Sequence, residues 1–198
     1  YIEMDKRIQV VNVPENLGIA QNTNKALSIA KGDYIGLLDH DDMLAADALF
    51  EVAKIINDKN VDVIYTNEDK ITMSGEKHFQ PNFKPEYNLD MLRSNNYICH
   101  FFIAKAPLMK EIGGFRGEYN GAQDYDMIFR CTERADNIVR IPKVLYHWRM
   151  HEQSTAENPE SKRYAFDAGK KVIEDHLKRC GESAEVEMTE YPGFYRVK

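Results

Sequence analysis

Apolar positions along the chain change period from segment to segment. Short continuous apolar runs recur between stretches whose apolar residues fall three and four apart, the pattern of a layered α/β fold. Residues 8–13 read as a strand, 22–31 as a short helix stopped by Gly32, and 34–38 as a strand buried on both faces. Residues 44–56 read as a helix with Leu49, Val52, Ala53 and Ile56 on its apolar face, and 61–66 as a further strand. Residues 71–90 hold prolines, a glycine and scattered aromatics, which suit a loop or hairpin. A strand over 98–104, a short helix over 106–112 ended by Gly113-Gly114, and a helix over 124–134 follow. Residues 139–141 and 144–148 read as short strands, and 164–179 as a long helix with Ala165, Ala168, Val172, Ile173 and Leu177 on one face. The tail from 186 to 198 sets Pro192-Gly193 between two strand-like pieces. With no repeat, low-complexity tract or internal boundary in view, residues 1–198 read as a single domain.

Composition narrows the picture. Hydrophobic residues make up 43% and charged residues 29% of the 198 positions, as in globular chains. The net charge of −6 argues against nucleic-acid binding, which depends on cationic phosphate contacts, and no polybasic membrane patch is present. Cys99, Cys131 and Cys180 are few and far apart, so reduced thiols are expected rather than a disulfide framework or a thiolate zinc site. No run approaches the roughly 20 apolar residues of a membrane span. The chain enters a strand-like segment soon after Tyr1, which suggests a piece of a longer polypeptide.

Two acidic clusters carry the chemistry. Asp39-His40-Asp41-Asp42 directly follows the apolar run at 34–38. Ligands of α/β sheets bind at strand carboxyl ends. Asp39 and Asp41, two apart, can both face one cation, and oxygen donors favour Mg²⁺ or Mn²⁺. Asp42 fits either the same site or a cap on the next helix. The second cluster, Gly121-Ala122-Gln123-Asp124-Tyr125-Asp126, opens a helix, and Asp124 there is either a cap or a catalytic carboxylate. His147 and His151 are four apart without an HExxH pattern, so a metalloprotease zinc site is not expected. Arg149 suits a diphosphate or a surface ion pair. Glu68 and Asp69 are sugar contacts or solvated turn residues. Asn95, Asn96, Tyr97 and His100 are candidates for an acceptor cleft.

The ordered segments Asn16-Leu17-Gly18, Asn24-Lys25-Ala26-Leu27, Ala30-Lys31-Gly32-Asp33-Tyr34-Ile35 and Leu37-Leu38-Asp39-His40-Asp41-Asp42 resemble the family 2 glycosyltransferases, and the C-terminal stretch is similar to the bacterial surface-polysaccharide branch. The resemblance implies an N-terminally shortened GT-A type fold, a Rossmann-like mixed α/β sheet flanked by helices. Residues 1–70 would form its nucleotide-sugar and metal half, 71–160 its acceptor half, and 161–198 a C-terminal helix and tail. It implies an inverting, metal-dependent transfer of sugar from a nucleotide-diphosphate donor to an oligosaccharide or polysaccharide acceptor. In that scheme Gly18, Asn24, Asp39, His40 and Asp41 meet the donor, and Asp39, Asp41 and His151 hold Mn²⁺ or Mg²⁺. Asp124 is the base, while Asp69, Tyr97, His100, Gln123 and Asp126 are placed toward the acceptor. It further implies a cytoplasmic site, association with the inner membrane face for the full-length protein, and room for a homodimer at an exposed sheet edge. The family's opening strand pattern is missing before Ile8. Two rival readings are a glycosyltransferase-like module that only binds, and a haloacid-dehalogenase type phosphatase with Asp39 as nucleophile.

Overall fold

The computed structural model describes residues 3–150 and 163–198. The elements run α1 (Ile19–Ile29), β1 (Tyr34–Gly36), β2 (Met43–Leu44), α2 (Ala48–Asp58), β3 (Val63–Ile71), β4 (His78–Asn82), α3 (Leu89–Ser94), β5 (Phe102–Lys105), α4 (Ala106–Glu111), α5 (Gln123–Thr132), β6 (Ile138–Arg149), α6 (Arg163–Arg179), β7 (Val186–Met188) and β8 (Tyr195–Val197). The main sheet is mixed, in the order β1-β5-β3-β6-β2, with β4 also pairing with β3. β3 and β6 run parallel and the remaining pairs antiparallel. β7 and β8 form a separate hairpin around Pro192-Gly193.

β3 is the centre of the molecule, and its alternating side chains divide the core into two layers. Val63 and Tyr65 pack with Met127, Ile128 and Phe129 of α5 and Val172 and Ile173 of α6. Ile64 points the other way, into a cluster with Ala48 and Val52 of α2, Phe101 and Leu145. The helical face expected of α6 is confirmed at Ala168, Val172, Ile173 and Leu177, all buried.

Four expectations are corrected. Residues 8–13 form no strand; they are irregular, and Val10 is 57% exposed. An apolar run becomes a strand only where a neighbour completes its hydrogen bonds, and none does so among the described residues. The run at 34–38 is only partly buried, with Leu38 half exposed, because β1 lies at the edge of the sheet and pairs with β5 alone. The helix expected from residue 44 starts at Ala48, since Met43 and Leu44 pair with His147 and Tyr146. Its buried face carries Ala48 and Val52, while Leu49 and Ala53 point outward. Finally, the two strands expected at 139–148 are one, and a bulge accommodates Pro142. The register with β3 jumps from Thr66–Ile141 to Asn67–Val144, so the residue without an N–H falls where the ladder skips.

Candidate active site

The acidic turn lies between β1 and β2, and β6 anchors it. The Tyr146 hydroxyl donates to Asp42 Oδ2 at 2.6 Å and accepts the Asp39 N–H at 3.3 Å. The Arg149 N–H donates to Asp42 Oδ1 at 2.8 Å. Both Asp42 oxygens are therefore engaged, and Asp42 is the anchor of the turn. It does not cap α2, whose N-cap position is Asp47. The Arg149 guanidinium donates to the carbonyls of Asp41 (2.6 Å), Met73 (2.6 Å) and Thr72 (3.2 Å), tying the turn to the β3–β4 hairpin. It is thus occupied by backbone, neither a free phosphate ligand nor a surface ion pair.

Burial comes first among the causes that raise the Asp39 carboxyl above its ordinary range, followed by the charges of Asp42 and Asp41. Burial also raises Asp42, against the pull of its Tyr146 and Arg149 partners. Ligating atoms of Asp39, Asp42 and His100 lie within 4.8 Å of one another. Burial pushes His100 down to about 4, so its ring is neutral at neutral pH and retains a lone pair. Carboxylate oxygens with one imidazole fit a divalent cation of the Mg²⁺ or Mn²⁺ kind. Asp41 lies beside this set, with His40 Nδ1 at 3.7 Å from its carboxylate. His151 falls outside the described residues.

Asp124 is the second residue of α5, after Gln123, and the two side chains are linked. Gln123 Nε2 donates 3.0 Å to Asp124 Oδ2, and Gln123 Oε1 accepts the Gly121 N–H at 2.7 Å. The Gln123 amide is thereby fixed in one orientation, with its donor on the carboxylate. Burial and then the charge of Asp39 push Asp124 up to about 7. Residues 85 positions apart in the sequence thus share one electrostatic site, and Asp124 is poised to exchange a proton at neutral pH.

A buried network supports this site from below. Glu68 lies inside β3, not in a turn, and its Oε2 accepts the His100 N–H at 2.6 Å. Its Oε1 accepts from Asn82 at 3.2 Å. Lys84, fully buried, pairs with Glu68 at 3.5 Å and donates to the carbonyls of Ile98 (3.0 Å) and His100. Burial lowers the Lys84 ammonium and Glu68 opposes that. His100 stacks on Tyr146 with ring centroids 4.7 Å apart and meets Trp148 edge-on at 6.3 Å. Sequence reading missed Tyr146 and Lys84. Their only signals were a tyrosine opening Tyr146-His147-Trp148-Arg149 and a lysine enclosed by Phe83 and Pro85, and neither pattern names its partner.

The other sequence candidates separate. His40 is exposed beside the turn. Gly18 takes φ 83° at the start of α1, a conformation glycine tolerates, and its side faces Asn120. Asn24 spends its amide on Phe115, donating to the carbonyl and accepting from the N–H, both at 2.8 Å. That clamp docks α1 onto the segment before α5. Tyr97 is buried, edge-on to Tyr65 at 5.9 Å, and its hydroxyl accepts the Asn88 N–H. Asp126 is fully buried between Arg116 and Arg130, with Arg130 Nη2 at 2.6 Å, and belongs to the core. Asp69 lies between His78 and His147, on the far face of β3 from Glu68. The structure therefore brings Asp39, His100, Gln123 and Asp124 together, gives Asn24, Tyr97 and Asp126 partners within the fold, and sets Asp69 between two imidazoles at the border of a cavity shared with Glu68 and Trp148. Asn95 donates to the Gly193 carbonyl, and Asn96 Oδ1 is buried with no partner among the described residues.

Comparison with known proteins bears on the family and the fold. Residues 1–113 match the family model described as glycosyl transferase family 2. The chain is 34% identical over 197 residues to the O-antigen biosynthesis protein RfbC of Myxococcus xanthus, covering 99% of this chain and 15% of that protein. It is 30% identical over 151 residues to the chondroitin synthase of Pasteurella multocida, covering 76% of this chain and 15% of that one. The chain spans less than a quarter of the length of these curated relatives. Among solved structures, S. aureus TarS in complex with UDP-GlcNAc aligns with TM-score 0.57 at 18% identity, over 81% of this chain and 53% of that one. The mannosyltransferase PcManGT of Pyrobaculum calidifontis, in complex with GDP-Man and Mn²⁺, aligns with TM-score 0.57 at 17% identity, over 89% and 47%. Their likeness confirms the GT-A type fold, and the phosphatase reading falls with it. No helix among the described residues is long and apolar enough to cross a membrane. The fold, the acidic turn and the family match lead to one assignment: the chain belongs to glycosyl transferase family 2.

Proposed function

We propose that this chain transfers a sugar from a nucleoside-diphosphate donor to a carbohydrate hydroxyl, with inversion at the anomeric carbon, in the synthesis of a cell-surface polysaccharide. The observation that carries this reading is the pairing of Asp124 with the Asp39 turn: a carboxyl near pH 7 beside an acidic turn suited to a cation. In one displacement, the acceptor oxygen bonds to the anomeric carbon as the bond from that carbon to the diphosphate oxygen breaks. Asp124 takes the acceptor's proton, and Gln123 holds the carboxylate toward it. Asp39 and Asp41, with His100 beside them, would hold the divalent cation, and Asp42 fixes the turn. When bound, that cation supplies charge neutralisation for the departing diphosphate. The gathering of Asp39, Asp42 and His100 donor atoms within 4.8 Å of one another, next to Asp41, and the Mn²⁺ bound by the mannosyltransferase neighbour support a divalent cation at this turn.

An open cavity of about 280 Å³ beside the site is lined by Glu68, Asp69, Lys70, Gln80, Asn82 and Trp148. One aromatic face among amides and charges suits an acceptor sugar ring. On this reading the reaction runs on the cytoplasmic side, at the inner membrane face.

The test is release of nucleoside diphosphate from UDP-GlcNAc, UDP-glucose and GDP-mannose with Mn²⁺ present. Asp124→Asn is expected to lower release by ~10²-fold or more, the usual range for a catalytic base. Release by wild type that Asp124→Asn leaves unchanged would overturn the assignment of the base.

A further inference from the structure

A second cluster of ligating side chains lies on the other face of the sheet. Asp69 of β3, His78 of β4 and His147 of β6 come from three neighbouring strands, and one ligating atom from each falls within 4.8 Å of the others. His147 Nδ1 is 2.6 Å from Asp69 Oδ1, and His78 Nδ1 is 2.9 Å from Asp69 Oδ2. The two rings meet edge-to-face with centroids 4.6 Å apart. Strand alternation separates this cluster from the catalytic one: Glu68 and Lys70 share a face with Tyr146 and Trp148, while Asp69 shares the opposite face with His147.

The charge balance of this cluster is unusual. Asp69 is 8% exposed, and among the described residues its only ionisable partners are the two imidazoles; no lysine or arginine pairs with it. A buried carboxylate needs a cation or a full set of donors. A third His-containing cluster among the described residues, Glu133, His176 and Cys180, makes the contrast. There Arg179 pairs with Glu133 at 2.6 Å and Arg93 donates to His176 Nε2 at 3.1 Å, so positive charge is already supplied. At Asp69 it is not.

We infer that Asp69, His78 and His147 form a binding site for a divalent transition metal of the Zn²⁺ class. Two imidazoles and one carboxylate are the donors that Zn²⁺ accepts, and they leave one position of a tetrahedron for water. Ligand bonds of about 2.0–2.1 Å would open the two nitrogen–oxygen contacts by about half an ångström. His78, half exposed at the start of β4, has room to make that adjustment and provides the entry route. The metal would fasten the β3–β4 hairpin to β6, the strand that anchors the acidic turn. Its role is structural, and it does not depend on the transferase reading.

Zn²⁺ binding to the whole chain, measured by calorimetry at pH 7.5, tests this. The Asp39→Asn variant removes the competing acidic turn, and in that background one Zn²⁺ site of micromolar affinity is expected. Adding His78→Ala, at a half-exposed position that leaves the core intact, should weaken that site by ~100-fold. Zn²⁺ should raise Tm in the Asp39→Asn protein and leave Tm unchanged once His78 is removed. Co²⁺ in place of Zn²⁺ should give the intense visible bands of a four-coordinate ion, lost with His78→Ala. Absence of Zn²⁺ binding in the Asp39→Asn protein, or binding and Tm responses indifferent to both His78→Ala and Asp69→Asn, would overturn the site.

Discussion

Replacing Asp124 by asparagine should make the protein more stable above neutral pH and take away its activity. The carboxyl rises from its ordinary 3.8 to about 7 in the folded chain, through burial and then the charge of Asp39. Below about pH 4 the folded and unfolded chains both hold this proton, and the group contributes nothing to pH dependence. Between about pH 4 and pH 7 the unfolded chain has released the proton that the folded chain retains, so stability falls as pH rises. Above pH 7 the full cost is present. At about 1.4 kcal/mol for each pH unit, the ceiling is ~4 kcal/mol, and solvent at the partly exposed carboxyl reduces it to ~2 kcal/mol. Urea unfolding followed by circular dichroism at pH 5 and pH 8 measures this. Wild type should lose stability across that interval. Asp124→Asn should lose less, and at pH 8 it should exceed wild type by ~2 kcal/mol. Equal stability of the two proteins at pH 8, with parallel pH profiles, would refute the account of a strained, proton-poised carboxyl. A divalent cation at the Asp39 turn offsets the charge that helps raise Asp124, so Mn²⁺ should move the transition to lower pH.

The remaining predictions concern the supports of the site. Tyr146→Phe removes the hydroxyl that Asp42 and Asp39 share; it should cost ~1–2 kcal/mol of stability and weaken Mn²⁺-dependent nucleotide binding, both readable by denaturation and calorimetry. Lys84→Met leaves Glu68 without its cation in a buried setting and should destabilise by ~3 kcal/mol, measured by urea unfolding. Gln123→Ala frees the Asp124 carboxylate from its orienting amide and should lower kcat with little change in donor KM in steady-state assays. Asp126→Asn strips the buried partner of Arg116 and Arg130; it should cost ~3 kcal/mol or more in unfolding while leaving the pH dependence of surviving activity unchanged.

Much of the architecture was legible because local pattern and tertiary outcome agree. The 3.6 period of α6 and the turn at Pro192-Gly193 needed no distant partner to be read. The errors arose where pairing decides. Nothing in residues 8–13 tells that no strand lies beside them, and the apolar run at 34–38 looks the same at an edge as in the centre of a sheet. Met43 and Leu44 fit a helix until β6 takes them as a short strand. The active site follows the same division. Asp39 and Asp124 were recognisable as chemical groups from their settings at a strand end and a helix start. Their mutual effect was not, since it depends on packing of α5 against the sheet. Arg149 was misread because a guanidinium that holds backbone has the same sequence appearance as one that holds a ligand; for Asp42 the structure sets aside the cap and keeps the carboxylate in the Asp39 cluster. Asn24 and Asp126 illustrate the converse: each sits in a family-like motif, yet each is consumed by a partner remote from the acidic turn.

The most direct test of the account is calorimetric titration of UDP into the chain, with and without Mn²⁺, in wild type and in Asp39→Asn. The account predicts binding that requires Mn²⁺ and is lost in the variant, since the acidic turn holds the cation and the cation holds the diphosphate. UDP binding indifferent to Mn²⁺ and to Asp39→Asn, or no binding under any of these conditions, would contradict it.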